Sequence, residues 1–399
     1  MPSSESSRPA SFQPRVFVPP LANLIPSMSV ATLGVALPEL REALALSEIQ
    51  AGSVFSFIFI CASTGSAVAG RLSDRIGRKR VMVAGVTMLA CGFSLASRAP
   101  SYRVLALCLA LAGAGYGFTT PSLYALMSDL LPQRRGFGAS LVSVAYGLGV
   151  SAGAVVTSWI LVRSHWTAAF LAVGIFGFVI ALVEGVAIPN VRPQHTQKRI
   201  PYRAVFNRAV ALLALAEFFG GSVFFSSASW TASVLRGAKG LTVAETGFVI
   251  GLWGLTPMIG ALVLGPLSDR FGRRTVILAT AFPAAVAAFI SYEWLTTPQA
   301  LAAGLVIFGI LKATVPTLIV PLAQESAAPE AAGAAAGVIM SMHYFSAVVA
   351  PLAAGALIAG TGDMILSMVV TACVPLLIYG TLIAAVQETA AAYVTRRAP

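Results

Sequence analysis

Gly70-Arg-Leu-Ser-Asp-Arg-Ile-Gly-Arg-Lys-Arg80 returns, lightly edited, as Gly265-Pro-Leu-Ser-Asp-Arg-Phe-Gly-Arg-Arg-Thr275. The offset of 195 residues is about half of the 399-residue chain. Each copy is a short charged segment between two long apolar stretches. The repeat therefore marks the same loop in two homologous halves of a membrane protein, an arrangement common among secondary transporters. In each copy Gly70 or Gly265 is expected to end a helix and leave room for a neighbour. Asp74 and Asp269 offer an acceptor to helix N-termini or arginines, and the trailing cations anchor the turn at the membrane surface.

Composition agrees with the repeat. Hydrophobic residues make up 57% of the chain and charged residues only 10%, against about 25% charged in an ordinary soluble domain. A spanning helix needs about 20 mostly apolar residues. The chain divides into twelve such stretches, centred near residues 27, 59, 89, 114, 149, 177, 219, 255, 285, 311, 345 and 375. The expected fold is an all-α membrane protein: twelve transmembrane helices in two six-helix, pseudo-symmetric bundles around a central cavity.

The net charge of +11 raises the question of nucleic acid, and the distribution of the cations answers it. With both termini placed in the cytoplasm, 19 of the 26 Lys and Arg residues fall inside and 6 outside, leaving Lys312 within a helix. That is the positive-inside bias of a multi-pass protein. It predicts orientation, and no nucleic-acid partner. Cys61, Cys91, Cys108 and Cys373 lie in separate apolar stretches without metal-ligand spacing, so neither a metal nor a disulfide is expected. The absence of an Asn-x-Ser/Thr acceptor fits a bacterial inner membrane.

The halves are expected at 16–188 and 206–387, joined by a polar cytoplasmic linker at 189–205. Short tails, 1–15 and 388–399, flank them, the first a polar disordered segment before an uncleaved first helix. The internal symmetry extends beyond the loops: Pro121-Ser-Leu123 corresponds to Pro316-Thr-Leu318, and Pro132-x-x-x-Gly136 to Pro329-x-x-x-Gly333 after a slip of two. Small residues gather in Gly113-Ala-Gly-Tyr-Gly117 and Ala331-Ala-Gly-Ala-Ala-Ala-Gly337, where they permit close helix packing.

The pattern Gly-x-Leu-Ser-Asp-Arg-x-Gly-Arg-Arg/Lys, between spans two and three and again between eight and nine, resembles the signature of the major facilitator superfamily. The similarity covers essentially the whole chain. It implies that spans 1, 4, 7 and 10 line the cavity while the halves rock about a substrate. It also implies that Asp74 and Asp269, with Arg75, Arg78, Arg270 and Arg273, gate the cytoplasmic side, Arg134 or Arg135 being the partner of Asp74. Drug antiporters of the family often carry an arginine three residues before a glycine of span 4, where this chain has Ala110. They also often show Gly-Pro-x-x-Gly-Gly in span 5, where it has Gly153-Ala-Val-Val-Thr-Ser158. The run from Pro121 to Gly136 is more similar to metabolite and organic-acid carriers.

Ionisable residues inside the bilayer cost about 2.5–3.5 kcal/mol each at a helix centre and are retained for a reason. Glu217, Lys312 and His343 fall at nearly the same depth. Glu217 and Lys312, on cavity-lining spans, can either neutralise each other or work apart, Lys312 binding an anion and Glu217 exchanging a proton. His343 titrates in the right range for a relay. Asn23 and Ser27 form a polar stripe suited to a cavity wall or to interhelical hydrogen bonds. Tyr116, Tyr124, Phe218, Phe224 and Phe225 can sandwich a planar substrate or pack the core. Trp230 and Trp294 are expected in the interfacial belt, and Glu184 near a helix end that water reaches.

No nucleotide-binding loop or His-Glu-x-x-His motif is present, so no enzymatic activity and no cofactor are expected. The reading is a monomeric, gradient-driven carrier of a small organic anion, coupled to protons. Its pocket would be Lys312, Asn23, Ser27, Tyr116, Tyr124 and Phe224, with Glu217 and His343 on the proton path. Proton-driven efflux of drugs or amphipathic metabolites is the alternative. A non-transporting sensor would have lost the gating loops, and both are nearly complete.

Overall fold

The computed structural model describes residues 14–131, 134–188, 207–328 and 331–386; the linker and most of both tails lie outside them. Among the described residues the chain is helical and contains no strand. Ten helices are long and apolar enough to cross a membrane unaided. Two further spans are broken. The first comprises α1 (Leu24–Val35) and α2 (Leu37–Leu44), bent by 59°. α3 (Glu48–Ile76), α4 (Arg78–Ala96), α5 (Tyr102–Leu130), α6 (Arg135–Leu161) and α7 (Trp166–Ala187) complete that half.

The second half opens with α8 (Arg208–Gly237), followed by α9 (Val243–Gly254) running into α10 (Thr256–Phe271), then α11 (Arg273–Glu293). Its tenth span is α12 (Pro298–Lys312), α13 (Thr314–Thr317) and α14 (Ile319–Ser326) in series. α15 (Ala332–Thr361) and α16 (Met364–Ala385) close it. The twelve expected spans are thus all present. The halves differ at one instructive place. Pro121 sits inside the unbroken α5, whereas at its repeat partner Pro316 the preceding Val315 leaves helical geometry, at φ −101° and ψ 121°.

The duplicated loops turn at residues other than those expected. Gly70 and Gly265 lie within α3 and α10, with open space where a side chain would be. The corners are Gly77 and Gly272, at φ 98° and 94°, with nothing near an added Cβ. Only glycine takes this backbone without strain. Matching bonds recur in both copies: the Ser73 and Ser268 hydroxyls donate to the carbonyls of Gly70 and Gly265, at 2.9 and 2.7 Å. Gly77→Ala and Gly272→Ala should each cost about 1–3 kcal/mol, read as lower melting temperatures of the purified protein. Unchanged melting in both would mean that the corner is not constrained.

Close packing follows the glycines. Side chains added at Gly113 and Gly117 would strike the backbone of Ile58 and Ala62 on α3, and one at Gly115 that of Gly85 and Leu89 on α4. The halves meet in the same way at the end away from the duplicated loops. There Gly34 abuts Ala228, Gly52 abuts Pro351, and Gly254 abuts Ser151. The Ser56 hydroxyl crosses to the Val348 carbonyl at 2.6 Å. At the loop end, by contrast, side chains added at Gly70, Gly265, Gly333 or Gly337 would meet nothing within 4 Å. The small residues near the start of α15 thus divide: Ala331 and Ala335 pack against Val210 of α8, as expected, while Gly333 and Gly337 line open space.

Candidate functional site

Lys312 is the last residue of α12, directly before the break, and only 5% exposed. The negative end of the helix dipole favours a cation there. Its Nζ lies over the Phe224 ring, 4.3 Å from the centroid, a placement that attracts a cation electrostatically. Phe224 in turn stacks on Trp253 of α9, with centroids 5.6 Å apart and planes at 20°.

Glu217 lies seven residues before Phe224 on α8, two turns away on the same helix face. It is fully buried. Of the two arrangements left open, pairing with Lys312 is not the one seen: the carboxylate Oε1 lies 2.7 Å from His343 Nδ1 on α15, and Oε2 has no hydrogen-bond partner. Lys312 remains within Coulombic range without touching it. The structure therefore joins Glu217 to His343 and leaves Lys312 beside the aromatic stack. His343 also packs edge-on against Phe225, at 5.0 Å. Phe225 meets Phe59, and Phe59 meets Tyr116 at 5.7 Å.

Tyr116 is buried, while Tyr124 is 39% exposed toward the open end. Tyr146 on α6 and Tyr344 on α15 lie within electrostatic reach of them, Tyr146 with its ring 6.3 Å from Phe224 and Tyr344 with its ring 6.0 Å from His343. Neither Tyr146 nor Tyr344 was singled out in the sequence.

Asn23 and Ser27, expected either on the cavity wall or in interhelical hydrogen bonds, are both buried. Asn23 Nδ2 donates to the Val142 carbonyl at 3.0 Å, and the Ser27 hydroxyl donates to the Asn23 carbonyl at 2.8 Å. Gly149 of α6 leaves the room that Ser27 occupies. Asn23 thus ties the first span to α6. Trp230 is likewise fully buried, its indole N–H donating to the Pro351 carbonyl at 2.9 Å, so it is no interfacial anchor. Trp294 is 65% exposed.

Glu184 is inaccessible to water, contrary to expectation, and both its oxygens lack hydrogen-bond partners. It faces the Ala22 backbone at the start of the first span. Shifting that pair by 195 gives Glu217 and Tyr379, which also face each other. Each half thus buries one carboxyl at an equivalent place, carried by the opposite helix of the pair.

At the duplicated loops, Arg78 lies 3.0 Å from Asp129 and donates to the Ala125 carbonyl at 2.5 Å. Its repeat partner Arg273 lies 2.7 Å from Glu325 and 3.8 Å from Asp269. Each loop is therefore clamped to the end of span 4 or 10 of its own half. Asp269 is 72% exposed, Arg75 and Arg134 are exposed, and Arg270 lies over the Phe271 ring. The expected contact of Asp74 with Arg134 or Arg135 lies outside the described residues, which omit the side chains of Asp74 and Arg135.

At the opposite end Arg236 crosses to Glu39 at 2.5 Å. Its repeat partner Arg41 pairs with Glu48 and lies over the Trp230 ring of the other half. A cavity of about 590 Å³ lies beside them, lined by Arg41, Arg236, Leu241 and Met364 among others. Glu39→Cys combined with Arg236→Cys, joined by a reducible bifunctional thiol crosslinker that spans the length of the lost ion pair, should halt turnover, restored by reductant. Full turnover in the crosslinked protein would show that this seam never opens.

Two six-helix halves, duplicated charged loops and ionisable groups buried within the bundles define a membrane carrier fold. The major facilitator superfamily model matches residues 21–242 and again 212–398, and the chain belongs to that superfamily. Among its relatives, the gallate transporter of Pseudomonas putida is 24% identical over 296 residues, covering 64% of this chain and 65% of that one. The 3-(3-hydroxy-phenyl)propionate transporter of Escherichia coli is 27% identical over 266 residues, 65% of each chain. The 4-hydroxybenzoate transporter of Acinetobacter baylyi is 23% identical over 333 residues, 72% of each. The chain thus spans just under two thirds of the first of these. In fold it is similar to a bacterial Spinster homologue in an inward-facing, unoccupied conformation, with TM-score 0.77, 15% identity and coverage of 93% and 96%. It is similar also to the nucleoside transporter NupG, with TM-score 0.76, 13% identity and coverage of 94% and 98%.

Proposed function

We propose that this chain carries a small aromatic carboxylate across a bacterial inner membrane, coupled to protons, by exposing Lys312 alternately to the two sides. The observation that carries the reading is Lys312 itself. Among the described residues no carboxylate makes an ion pair with it, and its amino group lies on an aromatic face. An unpaired cation in a low-dielectric interior is costly unless an anion completes it, and the Phe224–Trp253 stack offers a flat apolar wall for a ring. A buried cation also repels the cationic amphiphiles that a drug exporter would carry. The aromatic acids named for three relatives support the same substrate class.

Glu217 and His343 form the proton-exchanging pair, close enough to Lys312 to sense whether its charge is neutralised. With both termini cytoplasmic, the closed seam at Arg236 and Glu39 faces outward and the loop end is open inward. The gate residue Asp269, 72% exposed here, would then be engaged in the opposite state, the role the resemblance implies for Asp74 as well. The protein acts as a monomer, each half supplying one wall.

The test is uptake of radiolabelled benzoate into proteoliposomes with and without an inward proton gradient. Saturable uptake, competed by carboxylates and accelerated by the gradient, is expected. Competition by sugars or organic cations in place of carboxylates would overturn the substrate class. Indifference to the gradient would overturn the coupling.

A further inference from the structure

The cluster of tyrosines is unused by the carboxylate and proton sites, and its composition is specific. Tyr116 and Tyr124 come from α5, Tyr146 from α6 and Tyr344 from α15, so both halves contribute. Four phenols brought together can each donate one hydrogen bond and accept two, far more capacity than they can spend on one another. Tyr146 and Tyr344 are half-buried and Tyr124 is more open, so the cluster borders accessible space instead of being sealed in the core.

Its position relative to Lys312 is equally specific. The Lys312 amino group lies 4.3 Å from the Phe224 centroid, and the Phe224 ring lies 6.3 Å from that of Tyr146. Tyr344 packs 6.0 Å from His343, which bonds Glu217. An ammonium, an aromatic wall and a phenol are thus linked by successive contacts from α12 through α8 to α6.

We infer that Tyr116, Tyr124, Tyr146 and Tyr344 form a subsite that reads a phenolic hydroxyl on the substrate ring. The inference rests on the carboxylate reading of Lys312 and narrows it from aromatic acids to hydroxylated ones. A ring hydroxyl that donates and accepts within the cluster replaces bonds that would otherwise be lost on closure. An unhydroxylated ring leaves those groups unpaired, the situation in which polar sites discriminate most strongly. Because Tyr344 belongs to the other half from Tyr116, Tyr124 and Tyr146, a bound hydroxyl also ties the two halves together at the substrate.

The experiment is competition against radiolabelled 4-hydroxybenzoate on the purified full chain, using benzoate, 4-methoxybenzoate, 4-hydroxybenzoate and 4-hydroxybenzyl alcohol. The wild type should prefer 4-hydroxybenzoate over benzoate and over 4-methoxybenzoate by at least about tenfold, or about 1.4 kcal/mol. In Tyr146→Phe, Tyr344→Phe and their combination the ratio of 4-hydroxybenzoate to benzoate affinity should collapse toward one. Equal binding of all three acids by the wild type would overturn the phenol subsite and leave the carboxylate site standing. A variant that weakens both acids in proportion, with the ratio intact, would also overturn it, since that is the mark of a packing role. Failure of every acid to bind, or binding of the alcohol as tightly as the acid, would instead remove the carboxylate reading on which the inference stands. The wild-type series needs no variant, so poor folding of a substituted protein does not obscure the answer.

Discussion

Lys312→Ala is expected to abolish anion binding, by roughly 100-fold or more, while the protein still folds. Removing one partner of a buried charge pair costs about 3–5 kcal/mol, and here the partner is the substrate, so the whole loss falls on affinity. Folded yield should survive because Glu217 holds its hydrogen bond to His343, not to Lys312. Phe224 likewise keeps its stack on Trp253. Lys312→Arg should retain part of the binding, since the charge persists but a wider, planar head must fit at the helix break. The check is direct binding of radiolabelled benzoate beside a melting curve. Normal binding in Lys312→Ala would remove the anion site. A loss of folded protein rescued by Glu217→Gln in the same chain would mean that the two charges serve each other after all.

Glu217→Gln should separate the driving force from the movement. The amide keeps a hydrogen-bonding group against His343 but cannot exchange a proton, so exchange of labelled for unlabelled substrate should persist while accumulation driven by a pH gradient disappears. One proton per cycle supports about tenfold accumulation per pH unit, because 1.4 kcal/mol is a factor of ten. The variant should therefore fall from that ratio to an internal concentration equal to the external one. His343→Gln should show the same loss in weaker form if the histidine tunes the carboxyl without carrying the proton itself. Retained gradient-driven accumulation in Glu217→Gln would place the proton elsewhere, and the buried carboxyl of Glu184 would then be the group to test.

The sequence carried the twelve spans, the duplication and the depth of the three ionisable groups, because each is a statement about position along a helix axis. It did not carry direction around that axis. Helices that meet lipid on one side and protein on the other are apolar on both, so periodicity offers little contrast. Asn23 and Ser27 look the same on paper whether they face a cavity or α6. Glu184 and Trp230 were misplaced for the same reason. Equal depth suggested Glu217 and Lys312 as a pair, yet His343, 126 residues away in the chain, is what reaches the carboxylate. The loop clamps formed by Asp129 and Glu325 could have been found. Each is an acidic residue near the end of span 4 or 10, about one repeat apart, and each faces an arginine that the repeat had already marked.

The bare glycines at the loop end bear on how variants of this protein will score. Nothing in the present conformation objects to a larger residue at Gly265, Gly333 or Gly337, so a screen for expression or thermal resistance should rate all three positions permissive. A screen for growth on a transported nutrient should not, because in the proposed cycle these bare surfaces are what must meet when the other state forms. Disagreement between the two screens would then map the hidden contact face of a conformation never itself isolated, residue by residue.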